Sequence, residues 1–182
     1  MILHYKNLQF ELYLPEEQIK KKVFMLASQI NHDYQGKEVT FVAILKGSFV
    51  FAADLLRNIT LPCHIDFIKA ASYVGETSSG NLEIQCNLSY DLTGKHVVIL
   101  EDIIDTGFTM TEIQKYLLSK NPASLRTACL FDKKECRLVE YVPVEYVGFE
   151  IPNLFIIGYG LDYDGYGRNL PGIFVKKQST DE

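Results

Sequence analysis

Apolar residues recur at helical spacing in three stretches of the chain, and each stretch predicts one amphipathic helix. The stretches cover residues 15–36, 48–58 and 109–121. The positions that set the three patterns are Ile19, Val23, Leu26 and Ile30; Phe49, Ala52, Ala53 and Leu56; and Met110, Ile113 and Leu117. We expect these side chains to face a common core.

Short runs rich in β-branched residues separate the helices and predict strands. These runs are 39–45, 64–73, 82–88, 96–100, 125–131, 145–149 and 154–160. The polar stretch 74–81 between the second and third runs predicts a long hairpin with a mobile loop. Strands that alternate with helices predict an α/β fold with a mainly parallel, twisted sheet flanked by helices. In such sheets, ligands bind beyond the carboxyl ends of the strands.

Length and charge narrow the class of protein. The chain has 182 residues, 47% of them hydrophobic, which suits a single domain with a substantial core. The net charge of −5 provides no basic surface, which argues against binding to nucleic acid or to an anionic membrane. No apolar run approaches the ~18 residues of a membrane span, and the N-terminus lacks a secretory signal, so we expect a cytoplasmic protein.

The segment VVILEDIIDTGFTMTEI, residues 97–113, places three carboxylates directly after a buried strand. These are Glu101, Asp102 and Asp105. Ionised groups are costly to bury unless they are paired, hydrogen-bonded or bound to metal, so the cluster indicates a site. The triplet 105–107, Asp-Thr-Gly, also occurs in aspartic proteases, but those enzymes need two such triplets and the chain has one, between a strand and a helix.

The turn after these carboxylates is predicted to bind a phosphate. Its residues are Thr106, Gly107, Phe108 and Thr109, whose backbone N–H groups converge at the helix N-terminus, where an anion is favoured. A local alternative, compatible with the first, is that Thr109 caps the helix in a capping box with Glu112. Carboxylates beside a phosphate cradle suggest a sugar phosphate, because acids accept hydrogen bonds from ribose hydroxyls.

The segment VVILEDIIDTGFTM resembles the phosphoribosyl diphosphate-binding motif of type I phosphoribosyltransferases, and most closely that of the hypoxanthine-guanine phosphoribosyltransferase family. The resemblance continues through ILKGSFVFAADLL, SYVGETSSG and VGFEIPNLFIIGYGLDYDGYGRNLP. It implies transfer of phosphoribose from phosphoribosyl diphosphate to hypoxanthine or guanine, with xanthine as a further candidate, as part of purine salvage. It also implies one domain over 1–182, with a core at about 36–160, a purine-binding hood from about 1–14 and 155–182, and a flexible hairpin lid.

The resemblance assigns roles at the phosphoribosyl end of the site. It implies that Glu101 and Asp102 hold the ribose hydroxyls directly or through Mg²⁺, and that residues 105–109 cradle the 5′-phosphate. Asp105 would be the general base near purine N7. The remaining residues implied here are Lys46 and Gly47 in a pyrophosphate loop with a cis peptide, Ser72 and Tyr73 on the lid, and Arg168 near the pyrophosphate.

At the purine end, the resemblance implies that Phe155 stacks on the base and that the backbone of Ile156 reads its exocyclic edge. Asp162 would help to hold Mg²⁺ on the pyrophosphate. Lys133 would donate to the 6-oxo group, although counting back from the next motif favours Lys134 instead.

Besides the choice between Lys133 and Lys134, one residue departs from the pattern of the family. Phe108 stands at a turn position that is often polar or basic in the family, so we expect phosphate binding of altered strength. The same fold also occurs in regulators that sense a nucleotide and bind nucleic acid, and in enzymes that act on pyrimidines. The acidic balance, Asp105 and Lys133 argue against the regulator, and the residues that resemble a 6-oxopurine site argue against a pyrimidine substrate. The resemblance further implies a homodimer or homotetramer.

Overall fold

The computed structural model describes residues 2–72, 82–85 and 88–177 of the chain. This part of the chain forms the helices α1 (Glu16–Asp33), α2 (Phe49–Leu56) and α3 (Phe108–Leu118). Its strands are β1 (Ile2–Tyr5), β2 (Leu8–Leu14), β3 (Val39–Leu45), β4 (Cys63–Ser72), β5 (Leu82–Gln85), β6 (His96–Ile104), β7 (Ser124–Asp132), β8 (Tyr146–Glu150), β9 (Ile156–Ile157) and β10 (Ile173–Lys176). A short 3-10 turn, Lys134–Cys136, follows β7.

The larger sheet has the strand order β5-β4-β3-β6-β7-β8. Neighbouring strands from β4 to β8 pair in parallel, and β5 pairs antiparallel with β4. The central strand β3 is buried along almost its whole length, as expected for a parallel strand covered on both faces. The predicted α/β architecture is therefore confirmed, and β4 with β5 forms the predicted hairpin, whose loop lies outside the described residues.

The helices cover the sheet with the predicted faces in two cases out of three. The apolar positions predicted for α1 and α3 are buried. In α2 the prediction holds for Ala52 but was wrong for Phe49, which is 45% exposed, and the other buried residues of this helix are Phe51 and Leu55. The segment FVFAADLL is apolar on most sides, so its periodicity does not select a face and packing against the sheet decides.

A second, smaller sheet joins the two ends of the chain in the order β1-β2-β10-β9. Its own core contains Phe10, Ile157 and Phe174. This arrangement matches a hood built from N- and C-terminal segments. The strand predicted over 154–160 is limited to two residues, because Gly158 and Gly160 adopt φ values of 107° and 101° and turn the chain. No helix in the described ranges has the length and apolar character needed to cross a membrane.

The register of the larger sheet brings three chain segments to one edge. Leu45, Ile104 and Asp132 are the last residues of β3, β6 and β7. Ile104 lies opposite Asp132 in the parallel pairing. The residues that follow these strands, which include Lys46, Asp105 and Lys133, are thus neighbours at the carboxyl edge.

Two adjacent leucines on α3 test the packing of this helix. Leu117 is fully buried and Leu118 is 56% exposed. We expect Leu117→Ala to lower the free energy of unfolding by about 3 kcal/mol, because it removes buried methyl groups and leaves a cavity. The control Leu118→Ala should change it by less than about 0.5 kcal/mol. Urea denaturation followed by circular dichroism measures both, and equal losses would contradict the assigned helix face.

Candidate active site

The turn between β6 and α3 presents backbone donors to a cavity at the carboxyl edge. Helix α3 begins at Phe108, after Gly107 in the left-handed conformation with φ 89°. No side chain caps this helix, and Glu112 pairs with Lys115, so the predicted capping box was wrong. The first N–H groups of a helix lack intrahelical acceptors and remain available to a ligand. The cavity is lined by Ile44, Leu45, residues 101–107, Thr109 and Met110.

The back of this turn is held tightly by the segment after β7. The backbone N–H of Leu138 donates to the carbonyl of Thr106 at 3.0 Å. A Cβ atom placed on Gly107 would lie 2.6 Å from Val139 Cγ2 and 3.0 Å from Val142 Cγ2. Only glycine fits here, because both the positive φ and the close side chains exclude a methyl group.

Glu101 and Asp102 lie side by side at the end of the buried strand. The backbone N–H of Ile103 donates to Asp102 Oδ1 at 2.9 Å, and that of Asp102 donates to Glu101 Oε1 at 3.3 Å. Burial, and then the adjacent Asp102 carboxyl, raise the pKa of Glu101 well above its ordinary value. Within residues 2–72, 82–85 and 88–177, no lysine or arginine pairs with either carboxylate.

The loop after β3 lies directly on Asp102. A Cβ atom on Gly47 would lie 1.6 Å from Asp102 Oδ2, so the absence of a side chain allows this contact. The peptide bond between Leu45 and Lys46 is cis, as the resemblance implied for this loop. The structure thus brings the predicted pyrophosphate loop and the predicted ribose carboxylates together.

A lysine and a carboxylate meet next to residues 106–109, the turn predicted to bind a phosphate and named the phosphate turn for that reason. Lys133 Nζ lies 3.1 Å from Asp105 Oδ2, and the lysine side chain is buried while the carboxylate is half exposed. The backbone N–H of Lys133 donates to the carbonyl of Ile104, which fixes the start of its side chain at the sheet edge. Lys134 points elsewhere and pairs with Glu150 at the surface. Of the two candidate lysines, the structure therefore places Lys133 beside Asp105.

Ile156 begins β9 of the smaller sheet and Phe155 comes directly before it, and the two residues differ in exposure. The ring of Phe155 is 45% exposed and is backed by the rings of Phe10 and Tyr163, at centroid distances of 6.2 and 5.8 Å. Ile156 is buried and pairs with Val175. An exposed ring with aromatic support can accept a flat base on its free face.

Asp162 and Arg168 form an ion pair in the loop that follows β9, with 2.7 Å between Oδ1 and Nη2. The second oxygen of Asp162 accepts from the backbone N–H of Gly165 at 2.7 Å. Across residues 2–72, 82–85 and 88–177, no group of three or more His, Cys, Asp or Glu residues is placed to hold a metal. The structure therefore does not bring Asp162 into one ligand set with Glu101 and Asp102.

Of the two residues predicted on the lid, only Ser72 is among the described residues. Ser72 ends β4, where its backbone pairs with Leu82. Tyr73 lies outside the described residues, so its predicted place on the lid stays a prediction.

Sequence reasoning missed two contacts that border the site. Arg137 forms an ion pair with the buried Asp132, directly behind the phosphate turn. The hydroxyl of Tyr159 donates to Asp54 Oδ2 at 2.6 Å and joins the loop after β9 to α2. Both contacts link residues whose side-chain orientation depends on tertiary packing, and no periodicity or motif signals them.

Comparison with known proteins gives the family. A profile of the phosphoribosyl transferase domain matches residues 11–164. The chain belongs to the phosphoribosyltransferase family. It is 44% identical over 169 residues to the hypoxanthine-guanine phosphoribosyltransferase of Aquifex aeolicus, and the match covers 92% of this chain and 94% of the relative.

A second relative and a solved structure agree with this assignment. The hypoxanthine-guanine phosphoribosyltransferase of Dictyostelium discoideum is 47% identical over 166 residues, covering 88% of this chain and 92% of the relative. A crystal structure of a hypoxanthine-guanine phosphoribosyltransferase from Bacillus anthracis superposes with a TM-score of 0.86 and 43% identity, covering 91% and 97% of the two chains. The resemblance seen in the sequence is confirmed.

Two glycines with positive φ test the shape of the phosphate turn. Gly107 is enclosed by Val139 and Val142, whereas a Cβ atom on Gly94, at φ 69°, would have no atom within 4 Å and would lie far from the cavity. We expect Gly107→Ala to weaken binding of ribose 5-phosphate at least tenfold, a loss of about 1.4 kcal/mol. Gly94→Ala should lower stability through its φ alone and leave binding unchanged. Calorimetric titration measures the affinity of each variant for ribose 5-phosphate. Equal affinities in the two variants would contradict the assignment of residues 106–109 as the phosphate-binding turn.

Proposed function

We propose that the protein is a hypoxanthine-guanine phosphoribosyltransferase of purine salvage. It would transfer the 5-phosphoribosyl group from phosphoribosyl diphosphate to N9 of a 6-oxopurine, giving the nucleoside monophosphate and pyrophosphate. The observation that carries this proposal is the contact between Lys133 and Asp105 beside the phosphate turn. A nucleotide-binding regulator on this fold has no need of a buried ammonium next to a half-exposed carboxylate.

The spacing of these two groups suits one edge of a 6-oxopurine. On that edge O6 is an acceptor, and the neighbouring N7 carries the imidazole proton in the tautomer of the free base whose N9 is free to attack; once that proton has left, N7 is an acceptor as in the nucleotide. The ammonium of Lys133 would donate to O6, and Asp105 would take the proton from N7 as the bond to N9 forms. Adenine carries an amino group at the same position, which offers the lysine no acceptor, so the pair favours hypoxanthine and guanine over adenine.

The phosphoribosyl group would lie between the turn and the two carboxylates. The N–H groups and hydroxyls of residues 106–109 would hold the 5′-phosphate at the N-terminus of α3. Phe108 would contribute its backbone N–H, since its ring is exposed and carries no donor. Glu101 and Asp102 would accept hydrogen bonds from the ribose hydroxyls.

We infer that Mg²⁺ is the cofactor and that Glu101 and Asp102 are the protein groups that hold it. Two adjacent carboxyl groups, neither of them paired with a basic side chain in the described ranges, suit a divalent cation, which would stabilise their ionised forms. Mg²⁺ is commonly held by one or two carboxylates together with substrate phosphate oxygens, so a third protein ligand is not required. Bound there, Mg²⁺ would neutralise charge on the departing pyrophosphate.

The remaining residues would close the site around the substrates. Lys46 and Gly47 would bind the pyrophosphate through the loop that contacts Asp102. Arg168 donates to the carbonyl of Gly160, which lies against this loop, and would add positive charge nearby. Asp162 would act through its ion pair with Arg168, or join the metal when the substrates are bound. Ser72 and Tyr73, on the lid, would exclude water from the reactive ribosyl centre.

The smaller sheet would serve as the purine-binding hood. Phe155 would stack on the base with its exposed face, and the backbone of Ile156 would face the exocyclic edge.

Because phosphoribosyl diphosphate is highly charged, the enzyme must act in the compartment that makes it, and we therefore expect it in the cytoplasm. Exposed apolar side chains on α1 and α2, including Phe24, Met25 and Phe49, supply surface for a homodimer or homotetramer.

Pyrophosphate release tests the proposed function. With Mg²⁺ and phosphoribosyl diphosphate, we expect turnover with hypoxanthine and guanine but not with adenine or uracil. The rate with xanthine shows whether the enzyme also accepts this third 6-oxopurine. Chelation by EDTA should abolish turnover, and added Mg²⁺ should restore it, since the chain carries too little positive charge to neutralise the leaving group. Nucleotide binding without turnover on any base would favour the regulatory alternative.

Removal of the carboxylate at Asp105 tests the proton transfer. We expect Asp105→Asn to lower kcat by roughly 10²-fold to 10⁴-fold, the usual contribution of a general base. The control Asp91→Asn changes an exposed residue in the turn before β6, at the opposite edge of the sheet, and should leave kcat unchanged. Steady-state kinetics with hypoxanthine decide, and a loss below about threefold at Asp105 would remove its role as base.

Substitutions at two adjacent lysines distinguish a specific contact with the purine from a general effect of positive charge. Loss of a hydrogen bond from a charged donor costs about 1.5–3 kcal/mol, so Lys133→Gln should lower kcat/KM for hypoxanthine roughly 10- to 100-fold. Lys134→Gln removes the same charge from the surface pair with Glu150 and should have little effect. The opposite ranking would transfer the purine contact to Lys134.

A further inference from the structure

The loop after β9 touches the pyrophosphate loop through backbone alone. Gly160 adopts φ 101°, and a Cβ atom on it would lie 2.1 Å from the carbonyl oxygen of Gly47. The carbonyl of Gly160 in turn accepts from Arg168 Nη1 at 2.6 Å. Since Gly47 also lies on Asp102, one continuous set of contacts runs from the ribose carboxylate to the loop that carries Asp162 and Arg168.

The neighbouring residue Tyr159 restricts the position of Gly160 against Gly47. It is a buried non-glycine residue with a φ of 49°, a conformation that persists only where its surroundings enforce it. Its hydroxyl donates to Asp54 Oδ2 on α2, the helix that starts just after the pyrophosphate loop. Its backbone N–H donates to the carbonyl of Leu170 at 2.8 Å. Burial and this hydrogen bond to Asp54 raise the pKa of the Tyr159 hydroxyl, so it remains a donor at neutral pH.

The two ends of the hydrogen bond belong to different halves of the site. Tyr159 is three residues beyond Ile156, and both belong to the chain segment that carries the exposed ring of Phe155. Asp54 lies on the helix that follows Lys46 and Gly47. A shift of either half therefore has to strain or break a short hydrogen bond between two partly buried side chains.

We propose that Tyr159 is a positioning residue whose hydrogen bond to Asp54 couples the purine half of the site to the pyrophosphate half. The proposal rests on the proposed function, which supplies the two ligands. A ligand in either half holds the Tyr159–Asp54 contact in place, so the second ligand binds to a partner that is already ordered. The coupling acts in both directions, because each ligand must change the affinity of the other by the same factor.

The test uses two ligands that cannot react together, hypoxanthine and Mg²⁺-pyrophosphate. Calorimetric titration of pyrophosphate, with and without saturating hypoxanthine, gives the coupling factor for the full chain. Couplings between sites commonly amount to about 5- to 150-fold, and we expect a value in this range for the unchanged protein. Tyr159→Phe should reduce the factor at least fivefold while the Kd for pyrophosphate alone changes less than threefold.

Tyr146→Phe is the matched control. Tyr146 is also buried, and its hydroxyl bonds to Asp33 and Arg126 at the amino end of β8, at the opposite edge of the sheet. This variant should lose stability without losing coupling. Asp54→Ala removes the acceptor of the same hydrogen bond, and combining it with Tyr159→Phe should reduce the coupling no further than either change alone.

The outcomes separate this proposal from the proposed function. Any of four results would overturn the positioning role. The unchanged protein could show a coupling factor near one, or Tyr159→Phe could keep the full coupling factor. Tyr146→Phe could lose as much coupling as Tyr159→Phe, or the losses of coupling from the two single changes could add in the double variant. Turnover of the unchanged protein with 6-oxopurines is measured in the same preparation. An inactive protein would overturn the proposed function, whereas an active protein with coupling intact in Tyr159→Phe would overturn the coupling alone.

Discussion

The parallel pairing of β6 with β7 is the constraint on which the site depends. This pairing places Ile104 opposite Asp132, so the residues that follow both strands emerge side by side. The hydrogen bond from the N–H of Lys133 to the carbonyl of Ile104 extends this register by one residue and brings the lysine to Asp105. A slip of one residue would turn the alternate side chains to the opposite face of the sheet and separate the two groups.

Charge shapes the rest of the site. A net charge of −5 does not attract an anionic ligand in bulk, so each anionic group of the proposed substrate would be held locally. The structure offers the unpaired N–H groups at the start of α3, the buried ammonium of Lys133 and the guanidinium of Arg168. Glu101 and Asp102 line the same cavity as the turn before α3, and two adjacent carboxyl groups without a basic partner in the described ranges are the reason that a divalent cation is expected there.

Much of this could be predicted from the sequence, because the decisive features are local. The buried faces of α1 and α3, the parallel strands and the turn at 105–109 follow from periodicity and from a glycine between a strand and a helix. The buried face of α2 could not be predicted, since its apolar residues surround the helix. The prediction of a capping box was wrong because the N-cap residue of α3 is Gly107, in the left-handed conformation, which has no side chain to cap the helix. The choice between Lys133 and Lys134 and the contact of Tyr159 with Asp54 required the register and the packing of distant segments.

A crystal structure with guanosine monophosphate tests the proposed site most directly, because one ligand must reach both of its halves. We expect the 5′-phosphate within about 3 Å of backbone N–H groups of residues 106–109, with O6 at a similar distance from Lys133 Nζ and the base against Phe155. A phosphate bound away from this turn, or a base whose O6 edge faces away from Lys133, would contradict the proposed site.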